Sequence, residues 1–158
     1  SAKIQTPLTP VPVTMQTFAF LLIGIAFGYQ IATTIIILYL IESAFGLSVF
    51  AKGDGLIYFQ GPTSSYLFGF KFGAFFSGYF KINSDPLLTF LKLIFSVSFI
   101  YLFGLIWLWI NLNFFSGKEL SFYNIFEMGA KPFLIIEIYK LLILTILSLQ
   151  IFKIRQFI

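Results

Sequence analysis

The sequence predicts an all-α membrane protein: a polytopic helical bundle built as a single domain over residues 1–158. Three observations predict it. Five runs rich in Leu, Ile and Phe succeed one another along the chain, and none shows the ~10-residue alternation of a barrel strand. Charged side chains make up only 10% of the residues, where water-soluble domains carry about 25%. Mean hydropathy is +0.96, and 23 of the residues are Phe, so much apolar surface must face lipid rather than water.

The same composition removes several classes of chemistry. There is no Cys, so no disulfide, zinc-thiolate or iron–sulfur reading is available. There is no His, the usual proton shuttle and metal ligand. Net charge is +4, but the basic residues are scattered and the aromatics lie in hydrophobic runs, so nucleic acid has no footprint. No G-x-x-x-x-G-K-[ST] phosphate loop is present.

The elements follow in order. "SAKIQTPLTPVP" opens the chain at Ser1 with three prolines and no helical pattern, and reads as an extended outer segment. No signal peptide is visible, and a first helix is expected to precede it. The first span runs from Val13 to Phe27, the second from Ile31 to Phe45, and the third from Ser65 to Phe80. All three fall short of the roughly 20 apolar residues of an upright span, so tilt or a protein-lined cavity is expected. The fourth is Leu87 to Leu112 and the fifth Pro132 to Phe152.

Short connections at Gly28-Tyr29-Gln30 and Lys81 to Pro86 alternate with long ones at Gly46 to Ser64 and Asn113 to Lys131. The tail "FKIRQFI" carries Lys153 and Arg155, which favours a cytoplasmic C-terminus and places the long loops outside. The loop "FGLSVFAKGDGLIYFQGPTSSY" has a turn signal at Asp54-Gly55 and a Thr/Ser cap before the third helix. It is too apolar to float in water and is expected to fold as a lid over a pocket.

Polar residues inside the spans need a reason. A charge at mid-membrane costs about 2.5–3.5 kcal/mol on insertion scales. Glu137 and Lys140 stand three residues apart on one helix face, well inside the fifth span. They read either as a mutual ion pair or as a polar clamp for a ligand. Lys92 reads as a snorkelling lysine, Lys71 either as a snorkelling lysine or as a functional group, and Glu42 as interfacial or pocket rim. Gly24 with Gly28, and Gly69 with Gly73 and Ser77-Gly78, form small-residue stripes that let helices approach closely. Trp107, Trp109 and Tyr101 read as interface or cavity-lining aromatics.

Three stretches then carry a resemblance. "PVPVTMQTFAFLLIGIAFG" (Pro10 to Gly28), "LYLIESAFGLSVFAKGDG" (Leu38 to Gly55) and "GPTSSYLFGFKFGAFFSGY" (Gly61 to Tyr79) resemble, in that order, the BioY biotin transporter family. The family pattern reads P-V-P-x-T-x-Q-T, then L-Y-L…G-x-x-V-F, then G-P-T-G-G-Y-x-x-G-F. Its last helix reads P-F-x-P-G-D-x-x-K, against "PFLIIEIYK" here. Pro132, Phe133 and Lys140 match, Glu137 replaces the Asp, and Ile135 and Ile136 replace Pro-Gly. "TSSY" stands where the family has "TGGY".

The resemblance implies a six-helix bundle, of which five spans are visible here. It implies the biotin-binding S component of an energy-coupling-factor (ECF) transporter, in the plasma membrane. Glu137 and Lys140 would then meet the ligand's ureido end. Gln16 and Thr17 would add hydrogen bonds, and Tyr39, Phe50 and Tyr66 would wall the thioether ring. Biotin is cargo in this reading, so no cofactor is expected. The implied partners are the lipid bilayer, an ECF transmembrane coupling subunit and ABC-type ATPases; self-association stays open. An S component for another small vitamin, or a structural subunit without ligand, are the alternatives. An intramembrane enzyme is disfavoured, because Asp54 and Asp85 fall in loops on opposite sides of the membrane.

Overall fold

The computed structural model describes residues 3–4, 13–45, 64–80 and 85–156. Six α-helices account for nearly all of them. The chain opens with a two-residue strand, β1 (Lys3–Ile4), paired antiparallel with β2 (Val13–Thr14). The helices follow: α1 (Gln16–Phe27), α2 (Tyr29–Ala44), α3 (Ser64–Tyr79), α4 (Pro86–Ile110), α5 (Phe122–Gly129) and α6 (Leu134–Gln156).

Several boundaries differ from the sequence reading. Val13 was expected inside the first span, but it lies in β2, and the helix starts three residues later at Gln16. The α1–α2 connection is tighter than expected: Gly28 alone stands between the helices, at φ 85°, a left-handed value that suits a residue without Cβ. Residues 113–131 were expected as a loop. Instead α4 runs on through a π-helical turn (Asn111–Phe115), and α5 fills the middle of the segment. Ser121 starts α5 by accepting from Asn124 N. A 3-10 turn (Lys131–Phe133) with Pro132 in its first turn then delivers the chain into α6. At the opposite end, Asp85 caps α4 by accepting from Leu87 N and Leu88 N, and Pro86 takes the first helical position.

The stretches 86–115 and 122–153 are long and apolar enough to cross a membrane. At 1.5 Å per residue the 25 residues of α4 reach about 37 Å, more than the hydrocarbon core. The 12 residues of α1 reach about 18 Å. α3 is the hub, packed against α1, α2 and α4, while α6 packs on α4 and α1. The core they share includes Leu21, Ile36, Leu67, Ile100, Leu108 and Leu144.

α6 is turned inside out relative to a helix of a water-soluble protein. Glu137, Lys140, Thr145 and Ser148 are buried, while Ile135, Ile138, Tyr139, Leu142, Ile143 and Ile146 are exposed. Apolar side chains outward and polar ones inward is the arrangement that a lipid surround selects. Inside, three small hydroxyls are satisfied locally: Thr145 donates to Leu141 O at 2.8 Å, Ser148 to Thr145 O at 2.7 Å, and Ser96 to Lys92 O at 2.9 Å.

The glycine stripes are helix contacts, as their spacing predicts. A Cβ on Gly24 would stand 2.1 Å from Ser77 Oγ and 2.6 Å from the Ala74 carbonyl. One on Gly78 would stand 2.5 Å from Tyr29 N, and one on Gly69 2.8 Å from Ile100 Cα. These helices touch backbone to backbone. Lys71 and Glu42 are on the exposed surface of the bundle, and Lys92 is half-buried. Trp109 packs against the core, with its ring 5.9 Å from Phe114, rather than standing free at an interface.

Candidate functional site

Alternating helix directions bring the start of α1, the end of α2, the start of α3, the C-terminal half of α4 and the start of α6 to one end of the bundle. The polar residues singled out in the sequence gather there. Glu137 and Lys140, at i and i+3 on the first turns of α6, form a buried ion pair, Nζ to Oε2 3.0 Å. Their residues are 5% and 6% exposed, so the pair is shielded from solvent.

Each ion also has a partner on another element. Lys140 Nζ donates to the Thr14 carbonyl at 2.8 Å, across 126 residues of sequence. Glu137 Oε2 accepts from the Tyr101 hydroxyl at 3.4 Å. Thr14 in turn donates through Oγ1 to Gln16 Oε1 at 3.2 Å, and Gln16 Nε2 donates to the Tyr39 hydroxyl. One polar chain thus runs from α4 through α6 and the end of β2 into α1 and α2. A buried ion pair is tolerable only with such secondary partners. One atom is left over: Glu137 Oε1 is buried and accepts no hydrogen bond among the described residues.

Aromatic rings wall this chain. Phe20 meets Tyr39 edge-on at 5.2 Å and Phe70 at 5.1 Å. Tyr66 stands perpendicular to Tyr101 at 6.1 Å. The Tyr66 ring lies over Gly104, and its hydroxyl donates to the Gly129 carbonyl at 2.9 Å, which ties α3 to the end of α5. Beside the site, Glu127 near the end of α5 and Lys131 in the 3-10 turn form an exposed ion pair, Nζ to Oε1 2.5 Å, and Glu127 Oε1 also accepts from the Tyr123 hydroxyl at 3.1 Å.

Of the expected residues, Glu137, Lys140, Gln16 and Tyr39 belong to the polar chain, and Tyr66 joins it through the Tyr101 ring. Thr17 is buried one position after Gln16. Phe50, Asp54 and the expected lid over residues 46–63 lie outside the described residues. Two participants went unassigned in the sequence reading. Tyr101 was noted only as a lining aromatic, 36 residues from the carboxylate it meets. Thr14 takes part through its main-chain carbonyl, which no residue type signals. Among the described residues no group of three His, Cys, Asp or Glu side chains is placed to hold a metal ion.

This arrangement can be set beside known proteins. A family model described as the BioY family matches residues 1–157. The chain belongs to the BioY family. Two relatives bear this out. One, named a biotin transporter BioY, from Thermotoga maritima, is 31% identical over 157 residues, 98% of this chain and 88% of the relative. Another, named a probable biotin transporter BioY, from Pyrococcus horikoshii, is 30% identical over 140 residues, 88% of this chain and 79% of the relative. In fold, the chain is similar to the solved S-component for biotin from an ECF-type ABC transporter, with a TM-score of 0.81 and 21% identity. That match covers 96% of this chain and 80% of the other. Membership of a transporter family, with the outward-facing apolar surface of α6, makes this a membrane protein.

Proposed function

We propose that the chain is the biotin-binding transmembrane subunit, the S component, of an ECF-type uptake system. The observation that carries the reading is the buried Glu137–Lys140 pair with Oε1 left without a donor among the described residues, in a chain of the BioY family. A cyclic urea is the complement of such a pair. It has N–H groups for the free carboxylate oxygen and a carbonyl for the ammonium. The thioether ring needs an apolar wall, for which Tyr39, Tyr66 and Phe50 are assigned. Gln16 and Thr17 complete the polar contacts. Such pockets are mostly apolar with a few placed polar groups.

The chain performs no covalent chemistry in this reading. Transport is driven by ABC-type ATPases acting through a transmembrane coupling subunit. It works as a multi-pass protein of the plasma membrane with a cytoplasmic C-terminus, a long-loop side outside and the pair near the outer mouth. All of residues 1–158 form one substrate-binding domain.

The test is thermal unfolding of the detergent-purified protein with biotin, dethiobiotin or an unrelated vitamin. A ligand that binds only the folded state at 100 times its Kd adds about 2.7 kcal/mol. The midpoint is expected to rise with biotin, not with the unrelated vitamin, and not with biotin in Glu137→Gln. No rise with saturating biotin, in protein that is otherwise folded, overturns the assignment.

A further inference from the structure

The two oxygens of Glu137 are treated unequally. Oε2 faces both donors, Lys140 Nζ at 3.0 Å and the Tyr101 hydroxyl at 3.4 Å. Oε1 is buried with no donor among the described residues. A glutamate carboxylate held by one ammonium on its own helix is free to pivot about its last torsion, which has a broad, nearly two-fold profile. A second donor from another helix removes that freedom.

We propose that Tyr101 is a positioning residue of the ligand site: it fixes the Glu137 carboxylate so that Oε1, and not Oε2, is presented to an N–H of the ligand. This rests on the biotin reading above. The hydroxyl is well placed for the task because its position is set independently of α6. Its ring stands at 89° to Tyr66, Tyr66 is anchored on Gly104 of α4, and the Tyr66 hydroxyl is bonded to Gly129. At 3.4 Å the contact to Oε2 is long for a hydroxyl–carboxylate bond, which prefers about 2.5–2.7 Å. It is the longer of the two contacts on Oε2 and comes from a different helix, so it limits rotation of the carboxylate without being the main tie between α4 and α6.

A consequence for specificity follows. Lys140 already balances the Glu137 charge, so the group that meets Oε1 must be a neutral N–H donor. A second ammonium there would leave an unbalanced buried cation. The site selects a urea- or amide-like N–H and discriminates against the same ligand with that nitrogen alkylated.

Titration of the full chain in detergent, with biotin and with biotin methylated on one ureido nitrogen at a time, tests this. Tyr101→Phe keeps the ring and removes the hydroxyl. In the wild type, biotin should bind more tightly than the methylated form that blocks Oε1. In Tyr101→Phe, biotin affinity should fall about five- to tenfold, the size of one lost hydrogen bond. The ratio between biotin and that methylated form should shrink by a similar factor, and the ligand-free unfolding midpoint should hold. Equal weakening of both ligands, or an unchanged ratio, overturns the positioning role. If the folded wild type binds no biotin at all, the functional reading falls first and this inference with it.

Discussion

The two ends of the bundle are held together by different physics. At one end, helices α1, α2, α4 and α6 are joined by side-chain hydrogen bonds among Thr14, Gln16, Tyr39, Tyr101, Glu137 and Lys140. At the other, Gly24 fits against Ala74 and Ser77, and Gly78 against Gly28 and Tyr29, with backbone touching backbone. Rings fill what remains: Tyr29 on Phe75 at 5.3 Å, Phe76 on Phe99 at 4.6 Å, and Phe80 on Phe95 at 5.6 Å. In lipid, close packing holds helices without any polar group. The glycine end therefore needs no charge, whereas the charges at the other end are held by each other, by the Tyr101 hydroxyl and by the Thr14 carbonyl.

Four measurements test that contrast, the largest effect first. Lys140→Ala leaves a buried carboxylate with no cation, and it should lower stability by about 3–5 kcal/mol and abolish the response to biotin. Replacing both members by Met should restore stability to near the wild-type level, because the lone buried charge is gone. The double variant should still ignore biotin. A ligand response in it would place the pair outside the site.

Gly78→Ala comes next. Its Cβ would meet only backbone, Tyr29 N at 2.5 Å and Gly28 C at 2.7 Å, so no side chain can rotate away. A loss of about 1–3 kcal/mol is expected, with the biotin-induced rise in midpoint intact. Loss of that rise would mean that the two ends are not separable.

Tyr39→Phe should cost about 1 kcal/mol and Gln16→Ala somewhat more, since both remove their mutual hydrogen bond and Gln16 also accepts from Thr14 Oγ1. The double variant should cost less than the sum, and strict additivity in the unfolding free energies would mean that the bond is not made.

The smallest effect concerns the exposed Glu127–Lys131 pair. Glu127→Gln should leave the unfolding midpoint almost unchanged, because an exposed ion pair contributes little. A large drop would count this pair among the contacts that hold the bundle together. The biotin response of Glu127→Gln should match the wild type.

How much could be read beforehand varies from residue to residue. Glu137 and Lys140 were legible because ions are rare in apolar runs and a spacing of three fixes a common face. The glycine seam was legible for a similar reason, since small residues four apart have few uses in a membrane helix. Tyr101 was not, because one aromatic in a chain with 23 Phe and 8 Tyr carries no signal of its own. α5 was missed because its eight residues follow a polar "SGKEL" stretch that reads as loop, and its one amphipathic face lacks the length of a span. The start of α1 was misplaced because Val13 and Thr14 are as apolar and β-branched as the helix beyond them, and only their partner strand tells them apart.

The sequence by itself determined that this chain lives among lipids, that it is helical, and that an acid and a lysine share a face of the last helix. Hydropathy and helical periodicity are local properties, and they survive without a fold. Only the tertiary structure decided that Lys140 reaches the Thr14 carbonyl, that Tyr101 comes from α4 to Oε2, and that Oε1 is the oxygen left bare among the described residues. Those facts depend on which helices face each other and in which direction, and that is set by the packing of the whole bundle around α3.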